Sequence, residues 1–457
     1  MKTIAAKAMD REQLFASMPI RRAVLSLAVP TVISQLITVV YNMADTFFIG
    51  QLGDPNQVAA ATLAMPLFIL LTAFANLFGI GGASLISRCL GAGDRQRARQ
   101  TSAFCIWSAG VLALCYGVLV ALGRNLLLPL LGADGATSAF CGSYLFWTVG
   151  IGAAPTVLNA ALAHLIRAEG YSGQASFGVA FGGILNIILD PIFIFVFRLE
   201  IAGAAIATML SNLAATLFFL GFLLRIRRVS AITASPACFS LGGGIAAEVL
   251  SVGLPSFIMT LMSTCSNLCL NKIISGYSNE AVAGMGVAKK IDLLAFAIAQ
   301  GMTQGALPLI GYNFSSGNRR RMISAIKTLL LCCIVLALGG TALMILCAAP
   351  ITRCFINDAA TVAYGRDFLR IVALACPSTA LNFLSITIFQ ATGRRRQPLI
   401  LSLLRKGGLD IPLMLLLNRL LGVQGVAWAT PIADLTALCV AAALALPYLK
   451  SLSKETA

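Results

Sequence analysis

The chain has 457 residues, with 33 Lys and Arg against 17 Asp and Glu, a formal net charge of +16, 58% hydrophobic residues and only 11% charged ones. A soluble globular domain carries about 25% charged residues, and the mean hydropathy here is +0.89, so that class is excluded. Nucleic-acid binding is excluded as well, because the basic residues sit in short connectors between apolar runs and are not gathered on one water-exposed face.

The N-terminal segment is basic (Lys2, Lys7, Arg11), but the first apolar run begins only after Arg21-Arg22 and is too long for a signal-peptide core, so the N-terminus is expected to be retained. From there, Gly, Pro and charge clusters divide the chain into twelve apolar spans at 25–48, 58–86, 103–123, 142–164, 175–197, 201–224, 249–270, 285–312, 323–349, 368–391, 398–418 and 423–448. An apolar run of about 18 residues or more crosses a ~30 Å hydrocarbon core as a helix. The prediction is an all-α polytopic membrane protein. The Cys residues are scattered singly through these runs, apart from Cys332-Cys333, with no Cys-x-x-Cys and a single His; neither a disulfide framework nor a structural metal site is indicated.

The even-numbered connectors and the two tails hold 22 Lys and Arg, Arg167 among them, and the odd connectors hold 6. The positive-inside rule then places both termini of this multi-pass membrane protein in the cytoplasm. The net charge reads as membrane orientation.

Two halves repeat at an offset of about 224 residues. Gly91-Ala92-Gly93-Asp94-Arg95 meets Ser315-Ser316-Gly317-Asn318-Arg319, Arg167-Ala168-Glu169-Gly170 meets Gln390-Ala391-Thr392-Gly393, and Leu189-Asp190 meets Leu409-Asp410. Six spans per half insert both halves the same way up, as parallel repeats about an axis along the membrane normal, with a substrate cavity expected at their interface. The expected organisation is a tail at 1–24, an N-lobe at 25–224, a linker at 225–248, a C-lobe at 249–448 and a tail at 449–457.

A charged side chain at the bilayer centre costs roughly 2.5 to 3.5 kcal/mol on insertion scales, so intramembrane acids are functional candidates. They are Asp45, Asp190, Asp292, Asp410 and Asp434. At ~1.5 Å per residue, Asp45 falls about 5 Å, and Asp190 and Thr208 about 10 Å, from the outer edges of their spans, depths that suit one shared site. Asn186 lies four residues before Asp190 on the same helix face, where its amide can hydrogen-bond a carboxylate. Pro191 cannot donate to the carbonyl of Ile187. A carboxylate in that setting is suited to take up and release a proton. The competing reading of Asp190 is a packing hydrogen bond between helices; of Asp45, a water-facing acid at a helix end.

In the second half the position of Asp45 is taken by Asn271, while Asp410 has Lys406 four residues earlier, a spacing that pairs the acid and holds it ionised. The duplicated site therefore reads as neutralised. Asp292, close to Lys289 and Lys290, reads as a local ion pair, and Asp434 as an unexplained acid or a cavity residue. His164 reads as a helix-end residue near the cytoplasm in preference to a proton carrier.

Tyr41-Asn42-Met43-Ala44-Asp45 leading into Ile49-Gly50-Gln51-Leu52-Gly53, the Gly-Ala-Gly-Asp connector, Arg167-Ala168-Glu169-Gly170, Asn186-Ile187-Ile188-Leu189-Asp190-Pro191 and Pro308-Leu309-Ile310-Gly311-Tyr312-Asn313 together resemble the multidrug and toxic compound extrusion (MATE) family over nearly the whole chain. The resemblance implies two pseudo-symmetric six-helix lobes forming a V that open alternately to either side and export organic cations in exchange for protons or sodium ions. It also implies that Asp45, Asn186, Asp190 and Thr208 carry ion coupling, with Asp45 and Asp190 the place for a sodium ion if one is used. No further cofactor is implied. NorM-like members carry an additional Glu in span seven; the stretch from Pro255 to Asn271 contains no acid, which favours the DinF-like or related bacterial branches. Gln35, Tyr41, Asn42 and Met65 are the substrate-binding candidates by proximity to Asp45, and a monomer is expected.

The alternative function is a lipid-linked saccharide flippase of the wider superfamily, against which twelve spans and acids in the first lobe both speak. An enzyme or channel lacks support, because no metal-ligand pair, nucleophile-base pair, phosphate loop or filter motif occurs.

Overall fold

A computed structural model describes residues 13–356 and 358–454, and these are almost entirely helical. Lys2, Lys7 and Arg11 lie outside the described residues. Twelve helical spans follow in order. They are α1 (Ile20–Gly50), α2 (Pro55–Gly91), α3 (Arg95–Leu130), α4 (Gly135–Ile151 bent by 50° into Ala153–Ala168), α5 (Ser172–Val196) and α6 (Glu200–Ile226). The second half supplies α7 (Ile245–Ile274), α8 (Asn279–Ser315), α9 (Arg319–Leu346), α10 (Ala359–Ala391), α11 (Arg396–Leu403, running through a π-helical turn at Leu404–Asp410 into Ile411–Leu421) and α12 (Val423–Lys454). Among the described residues nine of these are long and apolar enough to cross a membrane, and bent α4 makes ten; α8 and α11 complete the set and carry charges within their length. The first span starts earlier than its apolar run, at Ile20, because Arg21 and Arg22 continue its first turn, and α12 continues past 448 to Lys454.

The repeated connector motifs have a local explanation. Gly93 (φ 78°) and Gly317 (φ 77°) end one helix in the left-handed region that a Cβ disfavours. The next residue caps the following helix: Asp94 accepts from the N–H of Arg97, and Asn318 accepts from that of Arg321. Each such cap contributes about 1 kcal/mol. The repeat is therefore a repeated turn, with the same chemistry at both positions.

The helices face lipid on their outer side, where Leu122 is 81% and Leu346 79% exposed, as expected of helices apolar all round. The two most extensive helix pairings in the molecule cross between the halves, α2 with α7 and α1 with α8. They close at the end that carries the basic connectors. A methyl group at Gly81 would fall on the carbonyl of Val249, and one at Gly253 on that of Leu77, so glycine lets the two backbones meet there. Below them Glu248 accepts from Arg97 at 2.6 Å and lies 3.4 Å from Arg88, while Arg321 and Asn313 donate to the backbone carbonyl of Phe15 at 2.7 and 3.1 Å.

Candidate functional site

In α5 the run Asn186 to Pro191 ends the regular helix: Pro191 lacks an N–H, and a π-helical turn follows at Ile192–Val196. Such turns concentrate at functional positions. Asp190 is 0% and Asn186 1% exposed. Asn186 donates through Nδ2 to Asp190 Oδ1 at 3.1 Å and to Thr208 Oγ1, on α6, at 3.3 Å. Asp45 lies within electrostatic range of Asp190, and Tyr144 within range of both acids and of Tyr41. The structure thus brings Asn186, Asp190 and Thr208 into one buried, hydrogen-bonded cluster, with the half-buried Asp45 beside it. Three acceptor oxygens here, Asp45 Oδ1, Asn186 Oδ1 and Asp190 Oδ2, are buried with no hydrogen-bond partner among the described residues. Unsatisfied buried acceptors are expensive, so these three oxygens call for a hydrogen-bond donor or a cation.

Beside the cluster lies a cavity of about 230 Å³, enclosed by α1, α2, α4, α5 and α6 with α8 as the wall from the other lobe. Gln35, Tyr41 and Asn186 line it; Asn42 and Met65 do not, Asn42 being exposed and Met65 45% exposed. Asn159 donates to Asn212 Oδ1 at 2.9 Å and Asn212 to the carbonyl of Thr208 at 2.9 Å, which ties the cavity wall to the acidic cluster. Neither amide stood out in the sequence. The signal available was an Asn inside an otherwise apolar span. At the seam Gln35 donates to Gln300 Oε1 at 3.2 Å, and Asn76 donates to Thr260 Oγ1 at 3.2 Å.

Two residues sit elsewhere than the sequence suggested. Arg167 is not a connector residue: it belongs to the last turn of α4, is 5% exposed and lines the cavity. It drops out of the connector charges because the helix runs on to Ala168, four residues beyond the expected end of the span. His164, one turn earlier, also lines the cavity, with Nδ1 3.3 Å from Arg167 Nη1.

In the second half, Lys406 donates to Asp410 Oδ2 at 3.1 Å, Ser266 donates to the same oxygen at 2.7 Å, and Lys289 pairs with Asp292 at 3.6 Å. Asp434 is no cavity acid. It is held by the buried Arg405 through Nε at 2.7 Å and Nη2 at 2.9 Å, with Thr379 donating to the same carboxylate and Phe383 under the guanidinium at 5.1 Å.

A model of the MatE family matches the chain twice, over residues 30–192 and 255–416. The chain is 32% identical to a multidrug export protein, MepA, of Staphylococcus saprophyticus, over 96% of this chain and 97% of that one. It is 31% identical to MepA of Staphylococcus aureus over the same shares. Among solved structures, a crystal structure of MATE in complex with MaL6 superposes with a TM-score of 0.90 at 25% identity, covering 97% of this chain and 99% of that one. The outward-facing conformation of a multidrug resistance MATE family transporter of the MOP superfamily gives 0.89 at 25% identity, covering 96% and 98%.

Proposed function

Since the chain belongs to the MATE family, we propose that it is a multidrug efflux transporter of the plasma membrane, a monomer that exports amphipathic organic cations by antiport against protons. The observation that carries the coupling reading is the buried Asp190 carboxylate, hydrogen-bonded on one oxygen by Asn186 and unpartnered on the other, beside an amide-lined cavity.

With the basic end taken as cytoplasmic, the glycine seam and the Glu248 pairs close the inner side, and the molecule is in its outward-open state. In that state Asp190 lies within repulsive range of Asp45, and neither has an ion-pair partner among the described residues. A proton from outside relieves that repulsion. Loss of the charge lets α1 repack between Pro30, inside it, and its Gly50 end, which contracts the wall formed by Gln35 and Tyr41 and expels the bound cation. Opening of the seam then releases the proton inward. The C-lobe carries no equivalent, because Asp410 and Asp434 are already paired.

The test is uptake of a fluorescent lipophilic cation into proteoliposomes under a pH gradient and, separately, a sodium gradient. Uptake driven by the pH gradient and lost in Asp190→Asn supports the proposal. Uptake driven by sodium alone replaces the proton with a sodium ion held by the three unpartnered oxygens, and equal uptake in the parent and the variant removes Asp190 from the mechanism.

A further inference from the structure

The cavity contains a charge that export of cations does not call for. Of its lining residues none is Asp or Glu, and one, Arg167, is a full positive charge. Arg167 is 5% exposed, its Nε is buried with no hydrogen-bond partner, and its one hydrogen-bonding neighbour among the described residues is the imidazole of His164. Glu169, the acid nearest in the chain, is engaged elsewhere, accepting from Ser230 Oγ at 2.5 Å and from the N–H of Ala231 at 2.8 Å.

An uncompensated buried ion costs several kcal/mol. A cation at a helix C-terminus gains about 0.3 to 1 kcal/mol from the helix dipole, too little to offset that cost. The other lobe provides an internal control. There the same turn is built with Gln390, which is 3% exposed and satisfied by donating to the Val252 carbonyl at 3.2 Å and to Ser256 Oγ at 2.8 Å. A neutral amide therefore suffices for the turn, and the charge at 167 serves something that enters the cavity.

We propose that Arg167 is an anion-binding subsite of the cavity, which takes the carboxylate of zwitterionic amphiphiles whose cationic end lies toward Tyr41 and Phe68. The lining residues of α4 run from Thr156 to Arg167, about 16 Å of helix at 1.5 Å per residue, enough to separate the two charges of one small molecule. Aromatic faces and amide carbonyls hold the cationic end without a carboxylate, and the planar fork of Arg holds a carboxylate through two parallel hydrogen bonds. This subsite deepens the export reading and rests on the same cavity.

The experiment uses two dyes that differ in one group, a rhodamine with a free carboxylate and its methyl ester. Their binding to the purified full chain is measured by fluorescence polarisation at low and high chloride, and their transport in proteoliposomes under a pH gradient. The parent, Arg167→Gln and Arg167→Lys are compared, Gln being the residue that the other lobe tolerates in this turn. The expected result is that the parent's binding preference for the carboxylate dye over the ester falls about tenfold in Arg167→Gln, with partial recovery in Arg167→Lys. High chloride is expected to weaken the carboxylate dye by less than twofold. An unchanged preference in Arg167→Gln overturns the subsite, as does equal loss of both dyes in variants that remain folded by thermal unfolding. A carboxylate dye displaced fully by chloride identifies a small-ion site and also overturns it. Binding that depends on Arg167 without transport by the parent would instead overturn the export reading and leave the subsite standing.

Discussion

Asn186 and Asp190, one turn apart on α5, share a hydrogen bond of 3.1 Å that leaves the second carboxylate oxygen of Asp190 buried and unpartnered. The same Asn186 amide reaches Thr208 on α6, so the state of one carboxylate is mechanically tied to the contact between two helices. Asp190→Asn keeps the shape and removes the titrating group. Gradient-driven efflux should fall by more than about tenfold, which is 1.4 kcal/mol or more, while the protein retains its thermal unfolding midpoint and binds a lipophilic cation within about threefold of the parent. Efflux above a tenth of the parent's rate contradicts this.

The seam at the basic end depends on backbones that touch. In Gly253→Ala the new methyl meets the Leu77 carbonyl, a backbone group that cannot swing aside. The lobes must part there, and the population should move toward the state open at the basic end. Hydrogen exchange of the backbone around residues 77–88 and 245–253 should quicken in the variant, with transport reduced and the helical content unchanged. Exchange as slow as the parent's would show that the seam absorbs a methyl.

Glu248→Gln tests the same closure with less force. Its pairs with Arg88 and Arg97 are part-exposed, with Glu248 at 23%, so they are screened and contribute on the order of 1 kcal/mol or less. A shift of that size moves the ratio of closed to open states by up to about fivefold. The hydrogen-exchange change should therefore be smaller than for Gly253→Ala, in the same direction, and the difference between variant and parent should vanish at high salt.

The legibility of these features in the sequence follows how local each one is. The twelve spans are set by runs of apolar residues as long as the bilayer is thick. The repeated turn at Gly93-Asp94 and Gly317-Asn318 is set by backbone conformation and a cap within four residues. The pairs Asn186 with Asp190 and Lys406 with Asp410 are one helical turn apart, and both contacts form. Contacts between distant helices left no such trace. Arg405 and Asp434 are 29 residues apart on two helices, so Asp434 has no explanation in the sequence, and only the packing of α11 against α12 joins them. Arg167 was misplaced for a different reason: a charge at a span end has the same composition whether its side chain faces water or folds back into a cavity. Proximity to Asp45 does not bring Asn42 or Met65 into the site: both lie outside the cavity that Gln35 and Tyr41 line.

The buried Arg405–Asp434 pair, at 2% and 1% side-chain exposure, should behave as a packing element. Asp434→Asn leaves the guanidinium without its countercharge and should lower stability by about 3 to 5 kcal/mol, whereas replacing both partners with Met and Leu should recover most of that loss. Thermal unfolding of the purified protein in detergent reads both variants. Transport per folded molecule should stay within twofold of the parent in the double variant, and its loss there would give the pair a part in the transport cycle.

Lys406 and Asp410 allow the sharpest separation of stability from coupling. Asp410 is 1% exposed and keeps one oxygen satisfied by Lys406 and Ser266, while Oδ1 has no hydrogen-bond partner among the described residues. In Lys406→Met the carboxylate loses its nearest countercharge, with Lys289 left as a more distant one, and the protein should be destabilised, by about 3 kcal/mol. Asp410→Asn in the same chain removes the stranded charge and should restore stability, because Ser266 can hydrogen-bond an amide as well as a carboxylate. Neither change touches the cluster of Asp45, Asn186, Asp190 and Thr208. The number of protons exchanged per cation, read from the reversal potential of transport in proteoliposomes, should be the same in the double variant as in the parent. A change in that ratio would place a second coupling site in the C-lobe and overturn the assignment of coupling to the N-lobe alone.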